Sequence, residues 1–352
     1  MMPYKRFAVF FGAVLLAMGL AACGGPQVKP QTDLIWPLPP DPPRIRFVQT
    51  ITKPADLNLG QGSLSETIFG EETEFNFKKP FGVASDGEGR IFVSDIGRVV
   101  VFDEVQKKLY QFGVSGQGQL RVPMGLAVSS DGTLFVADLT LDKVIAFDRT
   151  GKVLMSYGHA GELKNPVGVA VDDARKRIYV VDSKMHYVKA FSRTGETLFT
   201  IGKRGKENGE FNFPSAIALD REGNIYVADM GNFRVQIFDS SGKFIRAFGQ
   251  VGSAGGTFNR PKGIAIDSEG HIYVSDSAFN NIQIFDQKGQ LLLFFGGTGS
   301  NPGFFTLIEG IAIDKNDRIY AVDQLGYRLN VYQYLSEQYK KTHPEGAPSD
   351  AK

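Results

Sequence analysis

The sequence predicts an all-β fold, a six-bladed β-propeller of four-stranded antiparallel blades whose ring is closed by an N-terminal strand completing the last blade. Three observations predict it. One unit recurs six times, with an alanine at the same place in each copy (Ala84, Ala127, Ala170, Ala218, Ala265, Ala312) and an aspartate at another (Asp95, Asp138, Asp182, Asp229, Asp276, Asp323), the aspartates lying 43 to 47 residues apart. Each copy reads as short β-rich runs divided by turn residues, and all-β repeats of this length bury their faces only against copies of themselves. The last copy stops after its third run, while a lone alternating segment, residues 44–51 (RIRFVQTI), stands ahead of the first.

In the fifth unit, residues 263–266 (GIAI) alternate small and branched side chains, so one face admits a neighbouring backbone while the other inserts bulk. A Ser-Glu-Gly turn follows at 268–270, and further β-rich runs occupy 271–276, 282–286 and 290–295. Runs so closely spaced pair as antiparallel hairpins. The sixth unit has three runs, ending at 334, before the chain turns polar (SEQYKKTHPEGAPSDAK). Residues 44–51 are therefore expected to supply its fourth strand and leave no open edge in the ring. Residues 64–69 read as a short helix leading to the first unit. The expected organisation is an export signal (1–22), a lipidated cysteine with a Pro-rich tether (23–43), the propeller (44–335) and a polar tail (336–352).

Lys5 and Arg6 precede an uncharged run of fourteen residues, 7–20 (FAVFFGAVLLAMGL), short for a bilayer span and right for a signal-peptide core. Ala21 and Ala22 stand before Cys23, the single cysteine of the chain, with Leu20 three positions upstream. This stretch resembles the lipobox of bacterial lipoproteins. The resemblance implies cleavage before Cys23, a diacylglycerol on its sulfur and an acylated amino group, which together make a stable anchor. Gly24, where aspartate marks inner-membrane retention in enterobacteria, favours outer-membrane sorting within the cell envelope. Seven prolines in residues 24–43 predict an extended tether, reaching up to ~60 Å at about 3.1 Å per residue. Trp36, within it, is expected to dock on the body. Without the signal, 37 basic side chains face 38 acidic ones, so no net positive charge invites nucleic acid. With its cysteine given to lipid, the body forms no internal disulfide and is held by its core.

Residues 214–238 (PSAIALDREGNIYVADMGNFRVQIF) and 261–285 (PKGIAIDSEGHIYVSDSAFNNIQIF) resemble the NHL repeat, roughly P-x-G-I-A-V-D-x-x-G-x-I-Y-V-A-D-x-x-N-x-R-V-x-x-F. The resemblance spans about residues 44–335. Only the unit with Asp229, Asn232 and Arg234 fits the whole second half; Lys143, Val188 and Asn281 stand in for the arginine elsewhere, and the first unit is two residues shorter there yet keeps Arg98. The resemblance implies that the variable loop between second and third strands lies on a binding face. Arg98, Lys143, His186, Arg234, Asn281 and Arg328 are the candidate contact residues on it.

The histidines, His159, His186, His271 and His343, form no ligand-spaced pair. His159 and His186 could share a face, but solvated loop histidines are the plainer reading. NHL-like lyases such as the peptidyl-hydroxyglycine amidating enzyme carry several channel-facing histidines around zinc, a pattern without match here. Carboxylates suit calcium, as in lactonase-type propellers, yet an aspartate copied six times reads as satisfying donors in its own blade. Asp86, Asp131, Asp173, Asp220, Asp267 and Asp314 lie in or beside the first hairpin, where Asx turns explain them. The position between Pro and Gly differs in every unit: Phe81, Met124, Val167, Ser215, Lys262 and Glu309. These six are expected to ring the channel mouth, apolar on one half, with Lys262 pairing Glu309 and no carboxylate pair for acid–base hydrolysis. Phe75, Phe77, Phe211, Phe213 and Phe258 recur between units and read as plugs between blades, with any exposed member contributing to an aromatic patch. Lys203, Arg204 and Lys206 read as a solvated loop. The sequence thus points to a membrane-anchored binding or scaffold module of the bacterial envelope with a protein partner, no catalytic residue, no metal and no cofactor. The alternative is a metal-dependent lyase or lactonase-like enzyme with its site at the channel rim.

Overall fold

A computed structural model describes residues 34–59 and 75–343. Cys23, the export signal and the helix expected at 64–69 lie outside the described residues. The described chain forms six antiparallel sheets. Five are consecutive four-stranded meanders with inner strands Pro80–Ser85, Pro123–Val128, Pro166–Asp172, Pro214–Leu219 and Pro261–Ile266, and the sixth begins at Ile308–Ile313. Each inner strand touches those of both adjacent blades, the sixth meeting the first, so the ring is closed around a common axis.

Closure uses the chain's two ends. Strand β1 (Ile35–Trp36) pairs with β2 (Ile45–Ile51), and β2 pairs antiparallel with Arg328–Tyr334, Ile45 opposite Tyr334 and Ile51 opposite Leu329. The N-terminal segment is thus the fourth strand of blade six, and it covers an edge that would otherwise be open. The Thr50 hydroxyl donates to Asn330 Oδ1 across this seam at 2.8 Å. Residues 34–36, expected in the extended tether, are folded onto the body instead. Trp36 lies 5.8 Å from the Phe295 ring and 6.0 Å from Tyr332. Leu34, Ile35 and Trp36 are apolar and precede a turn into β2, so they gain more from burial and pairing than from staying solvated.

Neighbouring blades sandwich each sheet, so the second and third strands are buried on both faces. Runs such as Ile225–Asp229 (IYVAD) and Arg98–Asp103 (RVVVFD) are therefore almost continuously apolar. Fourth strands, at the rim, alternate: Leu291–Gly296 buries Phe295 and exposes Leu292 and Phe294. The core is divided among the blade junctions. Between blades one and two, Val101, Phe112, Leu126, Val136 and Phe147 interlock, each fully buried side chain of this size contributing about 1.5–3 kcal/mol. Phe211, Phe258 and Phe305 are fully buried, each at an isolated bridge within its inter-blade connection. The polar tail opens with a short helix, α1 (Glu337–Thr342), whose first turn is capped by the Ser336 hydroxyl accepting from the Tyr339 amide.

Candidate functional site at the axial mouth

An antiparallel meander puts the loops between second and third strands, and the connections between blades, at one end of the axis. Each second strand finishes there on the repeating aspartate, opposite the first residue of the inner strand. The register then slips: Pro123 faces Asp138, but Leu126 faces Val136. The other five blades slip at the same place. A bulge re-aims the side chain that follows, and this is the position that differs in every unit. Phe81, Met124, Val167, Ser215, Lys262 and Glu309 consequently line one axial cavity of about 260 Å³. Leu139, Ser183 and Met230, each directly after a repeating aspartate, complete its wall. Glycine at the next position lets the inner strands close around it. A Cβ on Gly82 would stand 2.3 Å from the Met124 carbonyl oxygen, and one on Gly125 2.7 Å from that of Val167.

All six repeating aspartates are fully buried. Asp138 accepts from the amides of Arg121 at 2.7 Å, Val122 at 3.1 Å, and Thr140 and Leu141 both at 3.0 Å. Asp95, Asp182, Asp276 and Asp323 likewise take both amides that lead into their inner strands. These carboxylates therefore hold the mouth loops in place. In blades one, four and six an arginine is added: Arg98 to Asp95 at 2.8 Å, Arg234 to Asp229 at 3.0 Å and Arg328 to Asp323 at 2.8 Å. Expected as rim contacts, these arginines spend their remaining donors internally, Arg98 on the Asn76 carbonyl, Arg234 on Glu207 and Glu210, Arg328 on Gly299, Ser300 and Phe304. In blade three the residue facing the aspartate is Tyr187, not Val188; its hydroxyl donates to the Glu162 carbonyl. Lys143 and Asn281 occupy the position in blades two and five. Lys143 is exposed, and the buried Asn281 Oδ1 accepts no hydrogen bond among the described residues.

Blade four breaks the pattern. Asp229 takes only the Asn212 amide, at 2.7 Å, and the Phe213 amide donates instead to His186 Nδ1 at 3.0 Å. An accepting Nδ1 requires the neutral ring with its proton on Nε2. Burial, reinforced by the nearby Arg204 charge, pushes the His186 pKa down and favours that form. Burial pushes the Asp229 carboxyl up, against the pull of Asn212, Asn232 and Arg234. The Phe213 ring lies 4.6 Å from His186 and remains 46% exposed beside the mouth.

Of the residues singled out from sequence, Phe81, Met124, Lys262 and Glu309 converge on the cavity, whereas Arg98, Lys143, His186, Arg234, Asn281 and Arg328 do not line it. Lys262 Nζ lies 3.2 Å from Glu309 Oε2, and Glu309 is the sole carboxylate of the lining. The Ser215 hydroxyl donates to the Pro261 carbonyl at 2.9 Å. His271, at the opposite end, lies 2.8 Å from Asp267 Oδ2, and this bond raises its pKa. Among the described residues no group of three or more His, Cys, Asp or Glu side chains converges as a metal site. Leu139, Ser183 and Met230 escaped the sequence reading, whereas Phe213, read there as a plug between blades or an exposed aromatic, is the exposed member of its set. The signal for the first three was present, since the position after the repeating aspartate also varies, with five residue types in six blades.

Residues 211–238 match the NHL repeat, and residues 268–344 match a family described as 6-bladed beta-propeller. No curated protein matches the chain by sequence. Solved structures with a similar fold include virginiamycin B lyase from Staphylococcus aureus, at 14% identity and a TM-score of 0.55, covering 75% of this chain and 88% of that one. They also include a gluconolactonase from Xanthomonas campestris (17%, TM-score 0.58, 84% and 95%). An auxiliary nutrient binding protein from Bacteroides thetaiotaomicron is similar as well (15%, TM-score 0.57, 74% and 70%). Enzymes and a binding protein share this architecture, so at such identities the likeness speaks for the fold alone. The chain is a six-bladed β-propeller built on NHL-type repeats.

Proposed function

We propose that this propeller is a binding module of the bacterial envelope, held to a membrane by lipid on Cys23, that engages a protein partner with its mouth face. One observation carries the binding half: six equivalent positions, re-aimed by six bulges, hold six different side chains around one cavity, with a single ion pair, one serine and three apolar side chains. Divergence within a rigid frame suits an interface, and the two titratable groups of the lining, Lys262 and Glu309, are engaged with each other. The anchor half rests on the lipobox resemblance around Cys23. A photo-crosslinking residue at Phe81 is expected to trap a protein in native membranes, and one at Glu88, on the hairpin end, is expected not to. Equal trapping from both ends refutes mouth-face binding. Replacing Cys23 with serine is expected to move the chain from the membrane fraction to the soluble one, and retention in the membrane refutes the anchor.

The rival reading, a metal-dependent lyase or lactonase-like enzyme, draws on the shared fold with virginiamycin B lyase and the gluconolactonase. It requires a stoichiometric, tightly held zinc or calcium ion. Elemental analysis of the mature chain decides between the two, because such an ion in the channel defeats the scaffold reading.

A further inference from the structure

The chemistry of the partner follows from the collar around the cavity, and this step rests on the binding reading above. The residues leading into the inner strands have their amides fixed on the buried aspartates, which holds the chain still and leaves their side chains on the mouth face. In blades one, two, three and five these residues include Lys78, Lys79, Arg121, Lys164 and Arg260, all exposed. Lys79 shows how far they reach: its Nζ lies 5.4 Å from the centre of the Phe81 ring, itself part of the cavity wall. Lys143 and Lys184 add two exposed cations from the loops between second and third strands. Among the described residues none of the seven has an ion-pair partner.

Three acids at this end are engaged elsewhere, and the two that have no cation partner among the described residues, Asp142 and Glu207, are outnumbered by the seven cations. Glu309 is held by Lys262 at 3.2 Å and Glu210 lies 3.3 Å from Lys203. Glu162 accepts from the His159 amide and the Thr197 hydroxyl. The opposite opening has the reverse character, lined by five aspartates against three cations. The axis thus presents, at one end only, a cationic collar around a mainly apolar hole whose wall also carries the Lys262–Glu309 pair and two serines.

The hole is small. Its volume of about 260 Å³ lies below the roughly 300–1,000 Å³ of pockets that enclose small-molecule ligands. One large side chain, inserted as the anchor of an interface, suits it better. Exposed Met185 and Phe213 extend the apolar surface beside it. We infer that the mouth face docks an acidic protein segment, one of whose apolar side chains enters the axial cavity while the collar of lysines and arginines steers and orients the rest. Charge placed at a rim governs the speed of capture and its salt dependence more than final affinity, so the collar and the hole have separable roles.

The test uses the full chain in its native membranes, with a photo-crosslinking residue at Val167 and the trapped peptide sequenced. The expected adduct joins an apolar side chain of a net-acidic segment. Reversing three collar charges together (Lys79→Glu, Arg121→Glu, Lys164→Glu) is expected to lower trapping roughly tenfold at low salt, as does raising the salt around the unmodified chain. Reversing three lysines of the hairpin end (Lys243→Glu, Lys288→Glu, Lys315→Glu) is expected to change it little. An adduct to a neutral or basic segment, an adduct to lipid, or trapping indifferent to both collar charge and salt overturns the inference while leaving mouth-face binding intact. The complete absence of an adduct from Val167 and Phe81 overturns both. The salt series needs no substitution in the collar, so a variant that fails to fold does not shield the proposal.

Discussion

The closest approach between blades supplies the sharpest prediction. Gly82 and Gly168 occupy the same position of the repeat, yet a Cβ added to each meets different surroundings. On Gly82 it would stand 2.3 Å from the Met124 carbonyl oxygen and 3.2 Å from the carbonyl carbon, both backbone atoms of the adjacent inner strand. On Gly168 the nearest atom is Ala216 Cα at 3.4 Å, an ordinary contact, and blade four carries alanine at this position naturally. Gly82→Ala must therefore push blades one and two apart, and overpacking of this kind costs about 1–3 kcal/mol. At roughly 2–4 °C per kcal/mol for domains of 150–250 residues, and about 1–2 °C for a longer chain such as this, the melting temperature is expected to fall by about 1–6 °C. Gly168→Ala, free of the clash, is expected to be neutral or to stabilise by up to about 1 kcal/mol, because alanine restricts the unfolded chain. Thermal melts of the two variants, followed by circular dichroism, give the comparison. Equal melting temperatures, or a larger loss in Gly168→Ala, would refute the account of ring closure by backbone approach.

The arginine staples predict a second contrast: Arg328→Met leaves the buried Asp323 without its cation and is expected to cost about 3–5 kcal/mol, whereas Lys143→Met at the equivalent exposed position should stay within about 0.5 kcal/mol in urea unfolding. For His186 the sign is set by a depressed pKa: the unfolded chain takes up a proton near 6.5 and the folded chain only below that, so stability present above pH 6.5 is lost as the pH falls toward the lower folded value. His271, with a raised pKa, acts in the opposite sense, contributing fully below 6.5 and losing that contribution as the pH rises through its folded value. His186→Gln removes the first effect alone, so between pH 7.5 and 5.5 it should lose less stability than the unmodified chain; an equal or greater loss would show that His186 does not titrate in this way.

What the sequence by itself determined was the periodic part of this protein. Blade number, strand order within a blade, the seam between the two chain ends and the position that faces the axis are all legible, because each follows from local alternation and from a repeat that has to bury itself against its neighbours. The divergence at Phe81, Met124, Val167, Ser215, Lys262 and Glu309 marked the cavity for the same reason, since a position exempt from the repeat is exempt from its packing. Tertiary structure decided what depends on register and on groups far apart in the chain. Only the pairing of Asp182 with Tyr187 fixes which residue of blade three faces the aspartate. Loop carbonyls 24 to 29 residues away claim Arg328, and that demand turns an apparent contact residue into a staple. The exchange that sends the Phe213 amide to His186 is likewise invisible in sequence, because it joins the loop of one blade to the threshold of the next. Hydrogen-bond partners across a blade junction are chosen by geometry that no single repeat contains.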